Sequence, residues 1–223
     1  MSDIPRRSRQ STEVMQAELV QAALALAAER HPLGISTTDL ARAVGITQGA
    51  VFRHFPSKDA IWLAVLTWVS EQLMGSMREA ARGGDAVNPL ETLQAVFIAH
   101  VEFIVAHPGV PRVVFQELQH SQETALKLSV RALMQQHGVL VVGLLQRASV
   151  QGMLAPGTDL QAAAALILGS VQGLVMQSLV GGGVGVITAQ APGVFTLCLR
   201  AITGGCGHDA GRTVAGRDGP GGH

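Results

Sequence analysis

An all-α fold is predicted by three features of this 223-residue sequence. Hydrophobic residues make up 48% of the chain but aromatic residues only 4%, a balance that favours helices packed through Ala, Leu and Val. Apolar residues recur at helical spacing between Gly and Pro turn signals. No stretch of any length alternates apolar and polar residues in the manner of a half-buried strand. The length allows one or two domains with a sizeable core.

The first predicted helix covers residues 11–29 and ends before Pro32. Its buried stripe consists of apolar residues at helical spacing, namely Leu19, Val20, Ala23, Leu26 and Ala27. Residues 1–10 are predicted to form a flexible basic leader that contains Arg6, Arg7 and Arg9. Two interpretations of the leader stay open: a flexible arm that follows a DNA backbone, and a solvated segment without a partner.

Residues 36–58 predict two short helices on either side of a tight turn. Ser36 or Thr37 can cap the first of these helices, because a hydroxyl oxygen there accepts an unpaired backbone N–H. Thr47 can cap the second helix in the same way. Gly45 suits the left-handed backbone conformation that commonly ends a helix.

The spacing of three residues in this segment is that of a helix-turn-helix unit. Ala41 lies four residues before Gly45 and lets two helices cross closely, while Val51 lies six residues after it and returns to the shared core. In such a unit the second helix lies in the major groove of DNA. Short helix pairs with a glycine turn also occur in all-α proteins that never bind DNA, so the spacing alone leaves both possibilities open.

The second helix of the pair carries polar side chains that the core does not need. Gln and Arg can each make paired hydrogen bonds to a base edge, whereas His and Thr suit phosphate or single base contacts. An exposed Phe can lie against a sugar or a thymine methyl group. These outward residues are Thr47, Gln48, Gly49, Phe52, Arg53 and His54.

The run TTDLARAVGITQGAVFRHFPSKDAI resembles the DNA-binding domain of TetR-family transcriptional regulators, and LVQAALALAAER resembles that family's first helix. The resemblance covers residues 14–69. Phe52 stands where the family most often has tyrosine, which removes one possible phosphate hydrogen bond and leaves the packing intact. The resemblance implies that DNA is contacted by Thr38, Thr47, Gln48, Gly49, Phe52, Arg53, His54 and Lys58.

A long fourth helix is predicted to follow the pair, from the Ser57 cap to residue 82. After a loop at 83–88, further helices are predicted at 89–106, 110–119, 122–151, 159–180 and 192–203. The predicted organisation is therefore a leader at 1–10, a three-helix DNA-binding domain at 11–56, a helical effector-binding and dimerisation domain at 57–203, and a disordered Gly-rich tail at 204–223.

Catalytic and metal-site patterns are weak in this sequence. His100 with His107, and Glu117 with His120, are spaced as metal ligands can be, but each pair lacks a third ligand nearby. Ordinary histidines in the core or at the surface are the simpler interpretation. Cys198 is expected in the core, and with only two cysteines a reducing cytoplasm is favoured over a disulfide framework. We expect no enzyme activity, no cofactor and no metal.

Large aromatic, Met and His side chains are scattered over the helices of the second domain. Each is individually as compatible with an ordinary core, but the family resemblance implies a pocket for a small hydrophobic effector. The candidate effector-binding residues are Trp62, Phe97, His100, Phe103, Phe115 and Met134.

Residues 160–199 contain no charged side chain, which allows two interpretations. The run is long enough to span a membrane, but its glutamines and glycines favour helices buried between two subunits. The resemblance implies a dimer formed by the last two helices. The candidate interface residues are Gly169, Gln172, Gly173, Met176 and Phe195.

Together these observations predict a cytoplasmic homodimeric repressor that leaves a palindromic DNA operator when a small hydrophobic effector binds. Sixteen basic and sixteen acidic residues cancel, so DNA contact must depend on a local patch and not on net charge. Two alternatives stay open: a helical small-molecule-binding or enzymatic protein that keeps the DNA-binding fold as a scaffold, and a membrane-associated adaptor.

Overall fold

The computed structural model describes residues 12–83 and 88–204, and within these ranges the regular structure is helical. The predicted leader at 1–10 and all but the first residue of the predicted tail lie outside the described residues. The α-helices are α1 (Thr12–Glu29), α2 (Thr37–Val44), α3 (Gln48–Val51), α4 (Lys58–Gly83), α5 (Pro89–Ala106), α6 (Gly109–Leu118), α7 (Ala125–Val150), α8 (Leu160–Gln177) and α9 (Val184–Thr203).

Helix α2 begins with a capping box. The Ser36 hydroxyl oxygen accepts from the backbone N–H of Asp39 at 3.1 Å, and the Asp39 carboxylate accepts from the Ser36 N–H at 2.9 Å. Arg30, just past the end of α1, lies 3.3 Å from the same carboxylate. The hydrogen bonds from Ser36 and the nearby Arg30 guanidinium lower the pKa of Asp39 from 3.8 to about 2. Asp39 therefore links α2 to the end of α1.

The predicted turn between α2 and α3 is present. Gly45 has φ 72°, and the N–H of Ile46 donates to the carbonyl of Ala41 at 2.9 Å. The hydroxyl of Thr47 caps α3 by accepting from the N–H of Ala50 at 3.2 Å. Val51 is fully buried, so α3 is fixed to the core by its inner face while its outer face stays exposed.

Helix α4 is continuous from its start beside α3 to Gly83. Ser57 caps it by accepting from the N–H of Ala60 at 3.1 Å. The helix packs against α1, and also against α5 and α7. One connected apolar core extends from α1 to α9. The predicted boundary between a DNA-binding domain at 11–56 and a second domain at 57–203 stays a prediction. The apolar core is continuous across this boundary, so packing does not mark it.

Helix α9 differs from its predicted extent, because it begins at Val184 and not at residue 192. The prediction was wrong because Pro192 was interpreted as a helix start, a position that proline favours. Pro192 instead lies inside α9, where its missing N–H leaves the carbonyl of Thr188 without its helical donor. Both residues lie on the exposed side of the helix, so water can satisfy that carbonyl.

Helices α4 to α9 form the larger bundle. Helix α5 packs against α4, α7 and α9, and α8 pairs with both α7 and α9. Helix α6 packs against α7 in the bundle and also against α1 in the N-terminal part of the chain. It therefore connects the bundle to the N-terminal helices.

Within residues 12–83 and 88–204, four helical segments are long and apolar enough to cross a membrane by length and composition. They are Pro89–Ala106, Ala125–Val150, Leu160–Gly181 and Val184–Thr203. Half of the first segment is buried within the chain, whereas only 28% of the last one is. Of the four segments, Val184–Thr203 is therefore the least buried within the chain.

Candidate functional site

The outer side of the α2–α3 pair forms an exposed surface, here called the α3 surface. Phe52 is 48% exposed, which is unusual for a large aromatic side chain on a surface that has no binding partner. The side chain of Arg53 is exposed and makes no hydrogen bond or ion pair with any described residue. The α3 surface consists of Thr38, Thr47, Gln48, Gly49, Phe52 and Arg53, all of them exposed.

Gln48 is held in place across the helix pair. Its side-chain Nε2 donates to the hydroxyl oxygen of Thr37 at 2.9 Å. This bond joins the first residue of α3 to the first residue of α2. It fixes the direction of an amide that suits base recognition, so the side chain loses less freedom when it binds.

His54 and Lys58 are less free than the other predicted DNA contacts. His54 is partly buried, and its carbonyl accepts from the Gln16 side chain at 2.8 Å. Lys58 is also partly buried, and its Nζ donates to the carbonyl of Leu33 at 3.0 Å. Sequence reasoning missed both contacts because the partners lie 38 and 25 residues away along the chain.

A second candidate site is an apolar cavity of about 80 Å³ inside the larger bundle, here called the bundle cavity. Its walls come from α4, α5, α6, α7 and α8. No charged side chain lines it among the described residues. Its polar lining residues are His100, His137 and Gln172, and its apolar lining includes Val69, Leu73, Phe103, Val110, Val114, Phe115, Leu133 and Met134.

The structure brings together four of the six predicted effector-binding residues: His100, Phe103, Phe115 and Met134 all line the bundle cavity. Trp62 lies two turns before Val69 on α4, faces the junction with α6 and α7, and does not line it. Phe97 lies one turn before the lining residues of α5 and packs on Phe195, with ring centroids 4.9 Å apart. These two residues therefore do not share the cavity with the others.

His137 was missed from the sequence, although a signal for it exists. It lies on the same face of α7 as the buried residues Val130, Leu133 and Val141. A histidine on an otherwise apolar helical face marks a buried polar group, which needs a partner or a function. His137 is 5% exposed.

The two cavity histidines are close neighbours, with ring centroids 4.4 Å apart and planes tilted by 52°. Burial lowers the pKa of His137 from 6.5 to about 4. Burial, and then the charge that His137 would carry, lower the pKa of His100 well below its ordinary value. Both imidazoles are therefore neutral at neutral pH, and the cavity carries no charge.

The two residue pairs that are spaced as metal ligands can be do not gather into a cluster. His107 packs edge-on against Trp68 at 5.1 Å, and burial lowers its pKa. His120 lies 3.8 Å from the Glu117 carboxylate. No group of three or more metal-ligand side chains occurs in residues 12–83 and 88–204. Cys198 is buried.

The outer face of α8 exposes most of the predicted interface residues. Met176 is 49% exposed, and a Cβ added at Gly169 or Gly173 would meet nothing within 4 Å in its own chain. Gln172 is exposed as well. Phe195 differs, because it is only 1% exposed and lies in the core of its own subunit. Its predicted place at a surface between subunits is therefore wrong.

Residues 19–65 match the family model described as bacterial regulatory proteins, tetR family. The chain is 29% identical over 96 residues to the nucleoid occlusion factor SlmA of Actinobacillus pleuropneumoniae, an alignment that covers 43% of this chain and 46% of SlmA. It is 33% identical over 90 residues to the HTH-type transcriptional repressor KstR2 of Mycobacterium tuberculosis, which covers 40% of this chain and 44% of KstR2. The chain thus spans about half the length of the curated relatives it matches.

A solved structure extends the likeness to nearly the whole fold. The transcriptional regulator FadR from Bacillus subtilis, solved in complex with stearoyl-CoA, matches with a TM-score of 0.72 at 19% identity. This match covers 83% of the present chain and 98% of FadR. At such low identity the likeness shows the fold alone, with N-terminal helices like α1 to α3 placed on a larger helical bundle.

Proposed function

We propose, on the premise that this chain belongs to the TetR family of bacterial regulatory proteins, that it is a dimeric transcriptional regulator whose DNA binding responds to a small apolar effector. The observation that carries this proposal is the pairing of two features along α4. The exposed α3 surface lies just before the start of this helix, and Val69 and Leu73 farther along it line an uncharged cavity.

The proposed DNA contact is made by the α3 surface. Arg53 is the best candidate for sequence recognition, because a free guanidinium can pair with the O6 and N7 of a guanine. Gln48 has the amide geometry that suits adenine. Thr38, Thr47, Gly49 and Phe52 are proposed to contact backbone, sugar or methyl groups. His54 and Lys58 are proposed to join them, Lys58 by exchanging the carbonyl of Leu33 for a phosphate.

Helices α4 and α6 are proposed to transmit effector binding to the DNA contacts. Val110 and Val114 of α6 line the bundle cavity, while the start of α6 packs on α1. A ligand that favours one arrangement of these helices will change the placement of α1 to α3. An effector acts only through its different affinity for the two arrangements. Release of a repressor from its operator is the proposed outcome.

A two-fold dimer is proposed to form through α8 and α9. The support for it is the exposed apolar surface of these helices together with their lack of charge from residue 160 to 199. Such a dimer would place two copies of α3 in successive major grooves of a palindrome, about 34–36 Å apart or a multiple of that distance. We propose a dimer, not a membrane, as the partner of this apolar surface, and a cytoplasmic location follows from the DNA binding.

Selection of bound sequences from a random DNA library by the full chain tests the proposal. We expect enrichment of one palindromic site. Arg53→Ala should weaken binding to that site by about 5- to 150-fold, equivalent to about 1–3 kcal/mol, if the contact is to a base. Arg78→Ala is the matched control, because Arg78 is exposed on α4 away from α3.

The control variant should keep its affinity within about twofold of the unmodified chain. If no site is enriched, or if Arg53→Ala and Arg78→Ala bind DNA equally well, the regulator proposal fails. The alternative of a helical binding protein or enzyme that uses this fold as a scaffold would then be favoured.

A further inference from the structure

His137, which lines the bundle cavity, carries a buried hydrogen-bonding atom that the fold itself does not satisfy. Nε2 of His137 is buried and has no hydrogen-bond partner among the described residues. Buried polar atoms are nearly always paired, because an unpaired one has lost its water and gained nothing in exchange. In a residue that lines a cavity, such an atom indicates the position of a ligand's polar group.

The remaining lining restricts the charge of that ligand. The described residues that line the bundle cavity include no Asp, Glu, Lys or Arg. An ionised ligand would lose its hydration there without gaining an opposite charge, which is strongly unfavourable. The pKa values of His100 and His137 are both lowered, so neither imidazole supplies a positive charge at neutral pH.

The other polar lining residues leave His137 as the principal anchor. His100 packs against the His137 ring and helps to fix its position. Gln172 lies on the exposed side of α8, and its amide is directed to the sulfur of Met134 at 3.8 Å. Phe103 and Phe115 contribute flat apolar side chains to the same lining.

We infer that the bundle cavity takes an uncharged, largely apolar molecule whose carbonyl or hydroxyl oxygen hydrogen-bonds to Nε2 of His137. The inference rests on the proposed function in using the same effector cavity, and it names the chemical class of the effector. A neutral imidazole can donate to a carbonyl or exchange a hydrogen bond with a hydroxyl, depending on its tautomer.

A matched set of small probes tests this inference. Acetophenone and 1-phenylethanol carry the neutral oxygen, and isopropylbenzene has the same shape without it. Benzoate and benzamidinium have nearly the same shape with a negative and a positive charge. Affinities of the full chain for each probe are measured at neutral pH by calorimetry and ligand-observed NMR.

Three variants accompany the unmodified chain. His137→Phe keeps an aromatic ring and removes the nitrogen, and His137→Gln keeps a polar donor. His107→Phe is the matched control, because His107 is a partly buried histidine that directly follows α5 and does not line the cavity. Circular dichroism checks that each variant is folded.

We expect acetophenone and 1-phenylethanol to bind His137→Phe about five- to tenfold more weakly than the unmodified chain, because the variant cannot form the hydrogen bond to their oxygen. Isopropylbenzene should change by less than about twofold, and His107→Phe should change none of the neutral probes by more than that. Benzoate and benzamidinium should bind the unmodified chain at least about tenfold more weakly than acetophenone. His137→Gln should retain part of the preference for the oxygen probes.

The inference is overturned if a charged probe binds more tightly than the neutral ones, if His137→Phe weakens all three neutral probes equally, or if no probe binds. Should His137→Phe be unfolded, the comparison of charged with neutral probes and the His137→Gln variant decide. Arg53→Ala separates the two proposals, because it should weaken DNA binding and keep every probe affinity. If the full chain binds a specific DNA site but its probe affinities do not follow the expected order, the inferred class of ligand is wrong and the proposed DNA-binding function still stands.

Discussion

Gly109 at the start of α6 lies against the backbone of α1, so closely that a Cβ at this position would fall 2.2 Å from the carbonyl oxygen of Leu24. The same Cβ would lie 3.0 Å from the backbone nitrogen of Ala28. The next residue of α6, Val110, lines the bundle cavity. One short stretch of α6 therefore touches both the proposed effector cavity and the helix that supports α2 and α3.

Replacing Gly109 by Ala should destabilise the protein. The obstructing atoms belong to the backbone and cannot move aside by a side-chain rotation, so α6 must shift away from α1. We expect a loss of about 1–3 kcal/mol in the free energy of unfolding, the usual range for overpacking. Urea unfolding followed by circular dichroism measures it.

Gly75→Ala is the control for this experiment. Gly75 lies inside α4, and an added Cβ there would meet nothing within 4 Å. This variant should gain about 0.5–1 kcal/mol, because alanine favours a helix over glycine. Equal stability of Gly109→Ala and the unmodified chain would show that α6 is not fixed to α1 in this way.

The parts of the fold that the sequence predicted well are those set by neighbouring residues. The caps at Ser36 and Thr47 and the left-handed Gly45 depend on atoms three or four residues away, and all three are present. The start of α9 was wrong because a proline tolerated on an exposed helical face has the same sequence signal as a proline at a helix start.

Contacts between distant segments could not be predicted from the sequence in the same way. Nothing near Gly109 indicates that Leu24 will lie against it, and nothing near Lys58 indicates the carbonyl of Leu33. His100, Phe103, Phe115 and Met134 were predicted to bind an effector from their residue types and from the family resemblance, not from any predicted contact between them. Trp62 and Phe97 have the same chemistry but lie elsewhere, since only the packing of α4 and α5 decides which turn borders the cavity.

Asp39 should make the N-terminal domain sensitive to acid. Its folded pKa of about 2 lies below its ordinary value of 3.8, so the carboxylate stabilises the fold above about pH 4. That contribution is lost as the pH falls from about 4 to 2. Asp39→Ala should therefore have a lower urea midpoint than the unmodified chain near neutral pH, with a difference that shrinks in acid.

Asp59→Ala is the control for this effect. The carboxylate of Asp59 is exposed in the first turn of α4 and makes no hydrogen bond or ion pair with the described residues. We expect its urea midpoint to change much less than that of Asp39→Ala at every pH. A difference for Asp39→Ala that stays constant down to about pH 2 would contradict the role given to the carboxylate.

A charge on the outer face of α8 should separate the proposed dimer into monomers. Gly173→Glu places a carboxylate where the subunit itself leaves open space, so the single chain should fold as before. Burying that charge between two subunits is unfavourable without an opposite charge, and residues 160–199 supply none. Analytical ultracentrifugation should show a dimer for the unmodified chain and a monomer for the variant.

Gly143→Glu is the matched control on the exposed side of α7, where an added Cβ also meets nothing. It should leave the oligomeric state unchanged. A dimer that persists in Gly173→Glu would place the interface elsewhere on the chain.

The buried histidine of the bundle cavity should give the protein a second pH dependence, above that of Asp39. The folded pKa of His137 is about 4, below its ordinary value of 6.5, so the unfolded chain binds a proton in this interval and the folded chain does not. The contribution of neutral His137 to the free energy of unfolding is therefore fully present above about pH 6.5. It falls as the pH is lowered toward 4, by roughly 3 kcal/mol at most.

The test of this prediction compares urea midpoints across that interval. His137→Phe should show a shallower decline than the unmodified chain, because Phe binds no proton in either state. His100 still faces the cavity from α5 and keeps part of the dependence, since burial lowers its pKa as well. His31→Asn removes an exposed imidazole and keeps an acceptor for the N–H of Leu33, so its decline should match that of the unmodified chain. Identical slopes for His137→Phe and the unmodified chain would mean that His137 is protonated, or solvated, in the folded protein, and the uncharged character assigned to the cavity would then be wrong.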